Sequence, residues 1–119
     1  DEIGQIIEAA RRHFDFLPDS EVTLEVNPGT ITIEQLKGYR AAGINRLNIG
    51  VQSFHKRHLD FLGRIHSPAE ARKAIADAYG AGFKNIGLDL IYGLPDQSRV
   101  DWLADLKQAV ADNSTHLAC

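Results

Sequence analysis

Three stretches of this chain alternate with a period of two, and in each only one face is wholly apolar. In residues 21–27, Val22, Leu24 and Val26 face one way while Thr23, Glu25 and Asn27 face the other; in residues 46–52, Leu47, Ile49 and Val51 oppose Asn48, Gly50 and Gln52. In residues 85–93, Ile86, Leu88, Leu90 and Tyr92 oppose Gly87, Asp89, Ile91 and Gly93. Alternation of this kind predicts strands. A central strand of an open doubly wound sheet meets helices on both faces and should be apolar on both, which these are not. A closed β/α barrel fills its lumen with bulky branched side chains. Small and polar lumen groups predict instead a wider, incomplete barrel that holds a ligand near the carboxyl ends of its strands.

The segments between these strands have helical spacing. Ile3, Ile6, Ile7, Ala10 and Phe14 predict an amphipathic helix from residue 2 to about 16. Thr32 with Gln35 and Ser67-Pro-Ala-Glu70 are capping-box signatures. The first starts a helix with Ile33, Leu36 and Tyr39 inward, and the second a helix buried through Ala71, Ala74, Ile75 and Ala78. A short helix within residues 53–62 closes at Gly63, and Ser98 opens another with Val100, Leu103, Leu106 and Val110 inward. A fourth strand begins at His116. Strands that alternate with helices, without hairpin signals, predict a parallel sheet. The segment Ala42-Gly43-Ile44-Asn45 is echoed by Ala81-Gly82-Phe83-Lys84, each just ahead of a strand.

Composition narrows the function classes. The 119 residues are 44% apolar and 24% charged, which suits one globular domain, and the net charge of −3 provides no polybasic stripe for nucleic acid or an anionic membrane. No apolar run reaches membrane-span length, the amino end lacks signal-peptide features, and the single cysteine precludes an internal disulfide, so a cytoplasmic setting is expected. A chain that starts at Asp1 without methionine and stops inside a strand pattern reads as a piece of a larger protein.

Glu25 and Asp89 each fit two roles. They are structural carboxylates held by loop amides, Arg46 or Arg64, or they are ligand groups in a cavity, because a buried carboxylate needs a partner. Three polar lumen strands favour the second. Gln52 taken alone suits a cap for the short helix, and Arg64 a solvated loop cation. His55 and His58 stand three apart on one helix face with no third ligand at metal spacing, so they read as exposed polar positions. His66 reads as a loop residue, Cys119 as a small buried one, and Tyr39, Tyr79 and Trp102 as helix packing.

Four segments carry a family resemblance: Leu24-Glu-Val-Asn-Pro-Gly29, residues 42–54 (AGINRLNIGVQSF), Leu62-Gly-Arg-Ile-His66 and residues 88–97 (LDLIYGLPDQ). They resemble the radical S-adenosylmethionine (SAM) proteins that comprise oxygen-independent coproporphyrinogen III oxidase (HemN) and the heme chaperone HemW. Gly-Val-Gln-Ser-Phe and Gly-Arg-Ile-His are more similar to the HemW form. The resemblance implies an α/β fold, a fragment of about three strand-helix units of an open parallel β/α partial barrel, with SAM and a [4Fe-4S] cluster at the carboxyl ends of the strands. It carries SAM contact over to Glu25, Gln52, Arg64 and Asp89 by position. In the family the reduced cluster cleaves SAM, while the protein supplies orientation and excludes water. Heme or a porphyrinogen is the implied ligand of the parent protein, with a membrane-associated heme acceptor as a weak partner. A non-catalytic barrel scaffold that has lost its cluster is the reading from another class.

One departure is large. The family cluster is held by a Cys-x-x-x-Cys-x-x-Cys loop, and this chain has only Cys119. Residues 1–119 are therefore expected to be the central part of the barrel domain, with the cluster-binding part before Asp1 and a carboxyl-terminal domain beyond Cys119. Such a piece is expected to have no radical activity alone, and to associate through its open sheet edges.

Overall fold

The computed structural model describes residues 2–119 and contains α1 (Glu2–His13), β1 (Thr23–Val26), α2 (Ile33–Ala42), β2 (Arg46–Gln52), α3 (Lys56–Phe61), α4 (Pro68–Gly80), β3 (Asn85–Leu90), α5 (Arg99–Ala111) and β4 (His116–Ala118). The strands form one open sheet in the order β1-β2-β3-β4, with every neighbouring pair parallel. This is the α/β arc that the strand-helix alternation predicts.

The sheet is one-sided. Leu47, Ile49 and Val51 of β2 and Ile86, Leu88 and Leu90 of β3 are buried with Leu36 of α2, Ala71, Ile75 and Ala78 of α4, and Ala109 of α5. The opposite face carries Thr23, Glu25, Asn48, Gln52 and Asp89, none of which joins that core. Burying the first face supplies the hydrophobic stabilisation of the fold. The second is left for polar chemistry.

Local chemistry sets the element ends. Thr32, Ser67 and Ser98 each cap a helix by accepting from the backbone N–H three residues on, and Gln35, Glu70 and Asp101 complete the reciprocal capping boxes. The echoed Ala-Gly pairs have the same job. Gly43 and Gly82 sit in the left-handed region at φ 106° and 93°, and Ile44 N and Phe83 N reach back to Tyr39 O and Ala78 O at 3.1 Å. Each closure turns the chain into a strand behind a buried Ile44 or Phe83. At the start of β1, Asn45 substitutes for a ladder partner: its Oδ1 accepts from Val22 N and its Nδ2 donates to Ser20 O, both at 2.8 Å.

Several expectations fail for packing reasons. The first helix ends at His13, and although Ile3 and Ile7 pack on the core, Ile6 and Phe14 are exposed; α2 is the helix that α1 lies against, so one narrow stripe suffices. In α5 the inward face is Trp102, Asp105, Leu106 and Ala109, while Val100 and Val110 are 76% and 67% exposed. Tyr92 lies beyond β3 and is exposed, its ring 5.8 Å from that of Trp102. His58 is buried and Cys119 exposed, the reverse of the sequence reading. No helix among the described residues is long and apolar enough to cross a membrane.

Candidate functional site

The polar face of the sheet has two glycine gaps, each lined by side chains from neighbouring elements. The first is at Gly50 in β2. A Cβ there would lie 3.0 Å from Asn27 Oδ1, 3.0 Å from Gln52 Nε2 and 3.3 Å from Arg64 Nη2, so three polar groups from β1's exit, β2's exit and the α3–α4 loop converge on one vacant side-chain position. Arg64 Nη2 donates to Asn27 Oδ1 and, at 3.1 Å, to Gly50 O. Arg64 is thus a half-buried, oriented cation rather than a solvated loop residue. Behind it, Asn27, Thr30, Gly63, Arg64, Ile65 and His66 line a cleft of about 200 Å³.

The second gap is at Gly87 in β3, where a Cβ would collide with Asn48 Oδ1. Asn48 Nδ2 bridges both oxygens of Asp89, at 2.7 and 2.8 Å, and fixes the plane of that carboxylate. Neither arginine of the structural alternative, Arg46 or Arg64, holds Glu25 or Asp89. Arg46 pairs with Glu21 at 3.0 Å and Arg64 with Asn27, while the side chain of Glu25, exposed and in register with Asn48, has no hydrogen bond among the described residues. Glu25, Gln52, Arg64 and Asp89 therefore all lie on one side of the sheet, with Gln52 and Arg64 drawn together at Gly50.

Gln52 reaches Gly50 through a break in the ladder. Ile49 pairs with Leu88 but Gln52 with Leu90, so β2 carries one extra residue, a β-bulge of the kind that re-aims side chains. Gln52 has φ 68°, and Ser53 N donates across it to Val51 O at 2.9 Å. An i to i+2 bond around a positive φ is a γ-turn of the rare, strained kind, which costs on the order of 1–3 kcal/mol and persists only where the surroundings over-determine it. Here they do. Ile91 N donates to Gln52 O at 2.9 Å, His66 Nε2 lies 3.1 Å from Val51 O, and the fully buried Asp105 accepts from Ser53 Oγ and Phe54 N.

Donation from His66 to Val51 O requires the Nε2–H tautomer, which leaves Nδ1 buried without a partner. A second proton would have no acceptor, and burial accordingly holds the His66 imidazole below its ordinary value. His66 is the loop residue that the sequence reading gives, but buried, and Asp105 is a site the sequence reading does not single out. The available signal for Asp105 was an acid set among Trp102, Leu106 and Ala109 at helical spacing, which marks a carboxylate inside an apolar stripe.

The Radical SAM superfamily profile matches residues 1–109. This chain belongs to the radical SAM superfamily. Among curated relatives, the heme chaperone HemW of Escherichia coli (strain K12) is 44% identical over 113 residues, 95% of this chain and 30% of the relative. HemW of Haemophilus influenzae is 42% identical over 98% of this chain and 30% of its own length. Among solved structures, the radical SAM coproporphyrinogen III oxidase (HemN) of Escherichia coli is 31% identical with a TM-score of 0.85, over 98% of this chain and 27% of that one. The chain spans about 30% of the length of the curated relatives it matches.

Radical SAM proteins in general use SAM and a [4Fe-4S] cluster. The groups at Gly50 suit the first by their chemistry: an amide, a guanidinium and a strand carbonyl meet there, and the Glu25 and Asp89 carboxylates lie on the same face of the sheet. The cluster is not fitted by this chain's residues. Cys119 is its single thiol, and no group of three or more His, Cys, Asp or Glu side chains among the described residues could hold a metal ion.

Proposed function

We propose that this chain is the SAM-holding arc of a heme-handling radical SAM protein of the HemW kind, with Glu25, Gln52, Arg64 and Asp89 as its SAM-binding residues. The observation that carries this reading is the convergence of Gln52 and Arg64 on Gly50, on the sheet face opposite the helix-packed core. Arg64 is anchored through Nη2, so its remaining N–H groups are available to the methionyl carboxylate in a charge-assisted pair. The two carboxylates and the Gln52 amide suit the ribose hydroxyls and the amino group. Asn48 and Asn27 hold Asp89 and Arg64 in place for this work.

When bound beside a reduced cluster, SAM supplies radical chemistry, and the protein's part is orientation and exclusion of water. The cluster ligands are proposed to lie outside residues 1–119, in an amino-terminal part of the barrel domain, with a further carboxyl-terminal domain. The free edges of β1 and β4 would then be covered by neighbouring strands in the full-length protein and be open to association in the isolated piece. Heme as the cargo rests on the names of the relatives at 42–44% identity. A membrane-associated heme acceptor and a cytoplasmic setting are parts of the same proposal.

A second reading, oxidative decarboxylation of coproporphyrinogen III, is supported by the likeness to HemN. Titrating the full-length protein with heme, in parallel with an assay of coproporphyrinogen decarboxylation, separates the two. Stoichiometric heme binding without decarboxylation supports the chaperone, and turnover of the porphyrinogen overturns it.

A further inference from the structure

A buried polar cluster lies outside the cradle, between α5 and the connection from β2 to α3. Asp105 is fully buried on the inner face of α5. Its Oδ2 accepts from Ser53 Oγ at 2.8 Å and its Oδ1 from Phe54 N at 2.7 Å. Ser53, also fully buried, accepts in turn from His55 N at 3.1 Å. The single Ser53 proton goes to the carboxylate, so His58 Nδ1, 3.3 Å from the same oxygen, is the donor there. His55 Nε2 lies 3.7 Å from Asp105 Oδ1 and 3.2 Å from Asp101 O.

A chain that needed α5 only to pack would do as well with an apolar side chain at this position, because a buried carboxylate gives up its hydration and regains it only through well-aimed bonds. What the carboxylate does that an apolar group cannot is fix two successive residues, and these are the two that directly follow Gln52. The γ-turn at Gln52 is held on its other side by His66 at Val51 O and by Ile91 at Gln52 O. Releasing the Asp105 side lets the turn relax toward an ordinary strand exit, and the Gln52 amide leaves its place over Gly50.

We propose that Asp105 is a positioning residue of the SAM cradle: from α5 it clamps Ser53 and Phe54 and so holds the strained turn that aims the Gln52 amide over Gly50 toward Arg64. The proposal rests on the assignment of Gln52 to the SAM site. It couples a helix on the outer face of the sheet to a group on the inner face, through two bonds that span 52 and 51 residues in sequence.

The test uses the full-length protein with Asp105→Asn, which keeps the shape and one acceptor oxygen, and Ser53→Ala, which removes one of the two bonds. Amide hydrogen exchange is read at Ile91 against the β1–β2 ladder, and SAM affinity is measured with and without Gln52→Ala. Exchange at Ile91 should accelerate at least about tenfold with the ladder unchanged, and SAM binding should weaken by about tenfold, the scale of one well-aimed hydrogen bond. In the Gln52→Ala background, the same substitution should change affinity by less than about twofold, since the two residues act in series. If Asp105→Asn does not fold, Ser53→Ala is read in the same way. Unchanged exchange at Ile91, a uniform rise across the ladder, or an equal affinity loss in both backgrounds overturns the clamp. If Gln52→Ala alone leaves SAM affinity intact, the cradle assignment is what fails, and the exchange result still decides the clamp.

Discussion

Gly50→Ala probes the cradle without removing any group proposed to bind. The added methyl would stand 3.0 Å from Asn27 Oδ1 and Gln52 Nε2 and 3.3 Å from Arg64 Nη2, so each neighbour has to retreat by a few tenths of an ångström. All three are outer ends of side chains rather than backbone, and the Gly50 φ lies outside the left-handed region, so the strand itself accepts alanine. Replacing a mid-strand glycine recovers roughly 0.5–1 kcal/mol of backbone entropy. Weakening the bonds of Arg64 to Asn27 and Gly50 O costs up to about 1.5–3 kcal/mol if they are lost, and less for a half-buried group that finds water. The first effect offsets part of the second, which limits the stability loss to about 1–2 kcal/mol, or about 4–8 °C in the unfolding midpoint for a chain of this size. Affinity has no such offset. A guanidinium pushed off its aim loses much of a charge-assisted contact, so SAM binding should weaken by about 1.4 kcal/mol, or tenfold. Equilibrium dialysis of SAM with the full-length protein and thermal unfolding followed by circular dichroism measure the two. Unchanged affinity, or a fall in midpoint of more than about 10 °C, would refute the reasoning.

Gly87→Ala should act through the other gap: its methyl displaces Asn48 from Asp89, and SAM affinity should fall by about as much as in Asn48→Ala, which isotherms of the two variants compare. His66 gives a pH signature. Its imidazole is held below the ordinary value of 6.5 by burial, so the unfolded chain takes up a proton there before the folded one does. Its contribution to stability is full above pH 6.5, falls as pH drops toward the folded value, and stops changing once both states are protonated; His66→Gln, which keeps a donor for Val51 O, should flatten urea-unfolding stability across that window. The isolated chain, with β1 and β4 open, should sediment as concentration-dependent oligomers, and a clean monomer across the accessible range would contradict this.

The parts of the fold set by local chemistry were legible in the sequence. The Arg46–Gln52 strand, the Ala71-Ala74-Ile75-Ala78 stripe and the caps at Thr32, Ser67 and Ser98 all follow from spacing and side-chain type within a few residues. Which stripe of α5 turns inward does not, because Val100-Leu103-Leu106-Val110 and Trp102-Leu106-Ala109 both have helical spacing and share Leu106. The bonds from Asp105 to Ser53 and Phe54 decide it, and no local window contains them. In the site, alternation put Gln52 on the polar face, but its γ-turn was hidden: glutamine is not a residue that announces a positive φ, and the turn is sustained by partners from three other elements. Alternation put Glu25 and Asp89 on the polar face, and the arginines of the alternative structural reading, Arg46 and Arg64, go to Glu21 and Asn27 instead.

The central claim is that one polar face of this sheet holds SAM. Its most direct test is a SAM binding isotherm of the full-length protein, with Asp89→Ala and Arg64→Gln alongside, at matched iron content. Each substitution removes a group that bonds on that face, and each should weaken binding by roughly 1–3 kcal/mol while iron content and unfolding midpoint stay near those of the parent. Wild-type affinity in both variants, or losses matched by a collapse in stability, would make these residues structural and contradict the account.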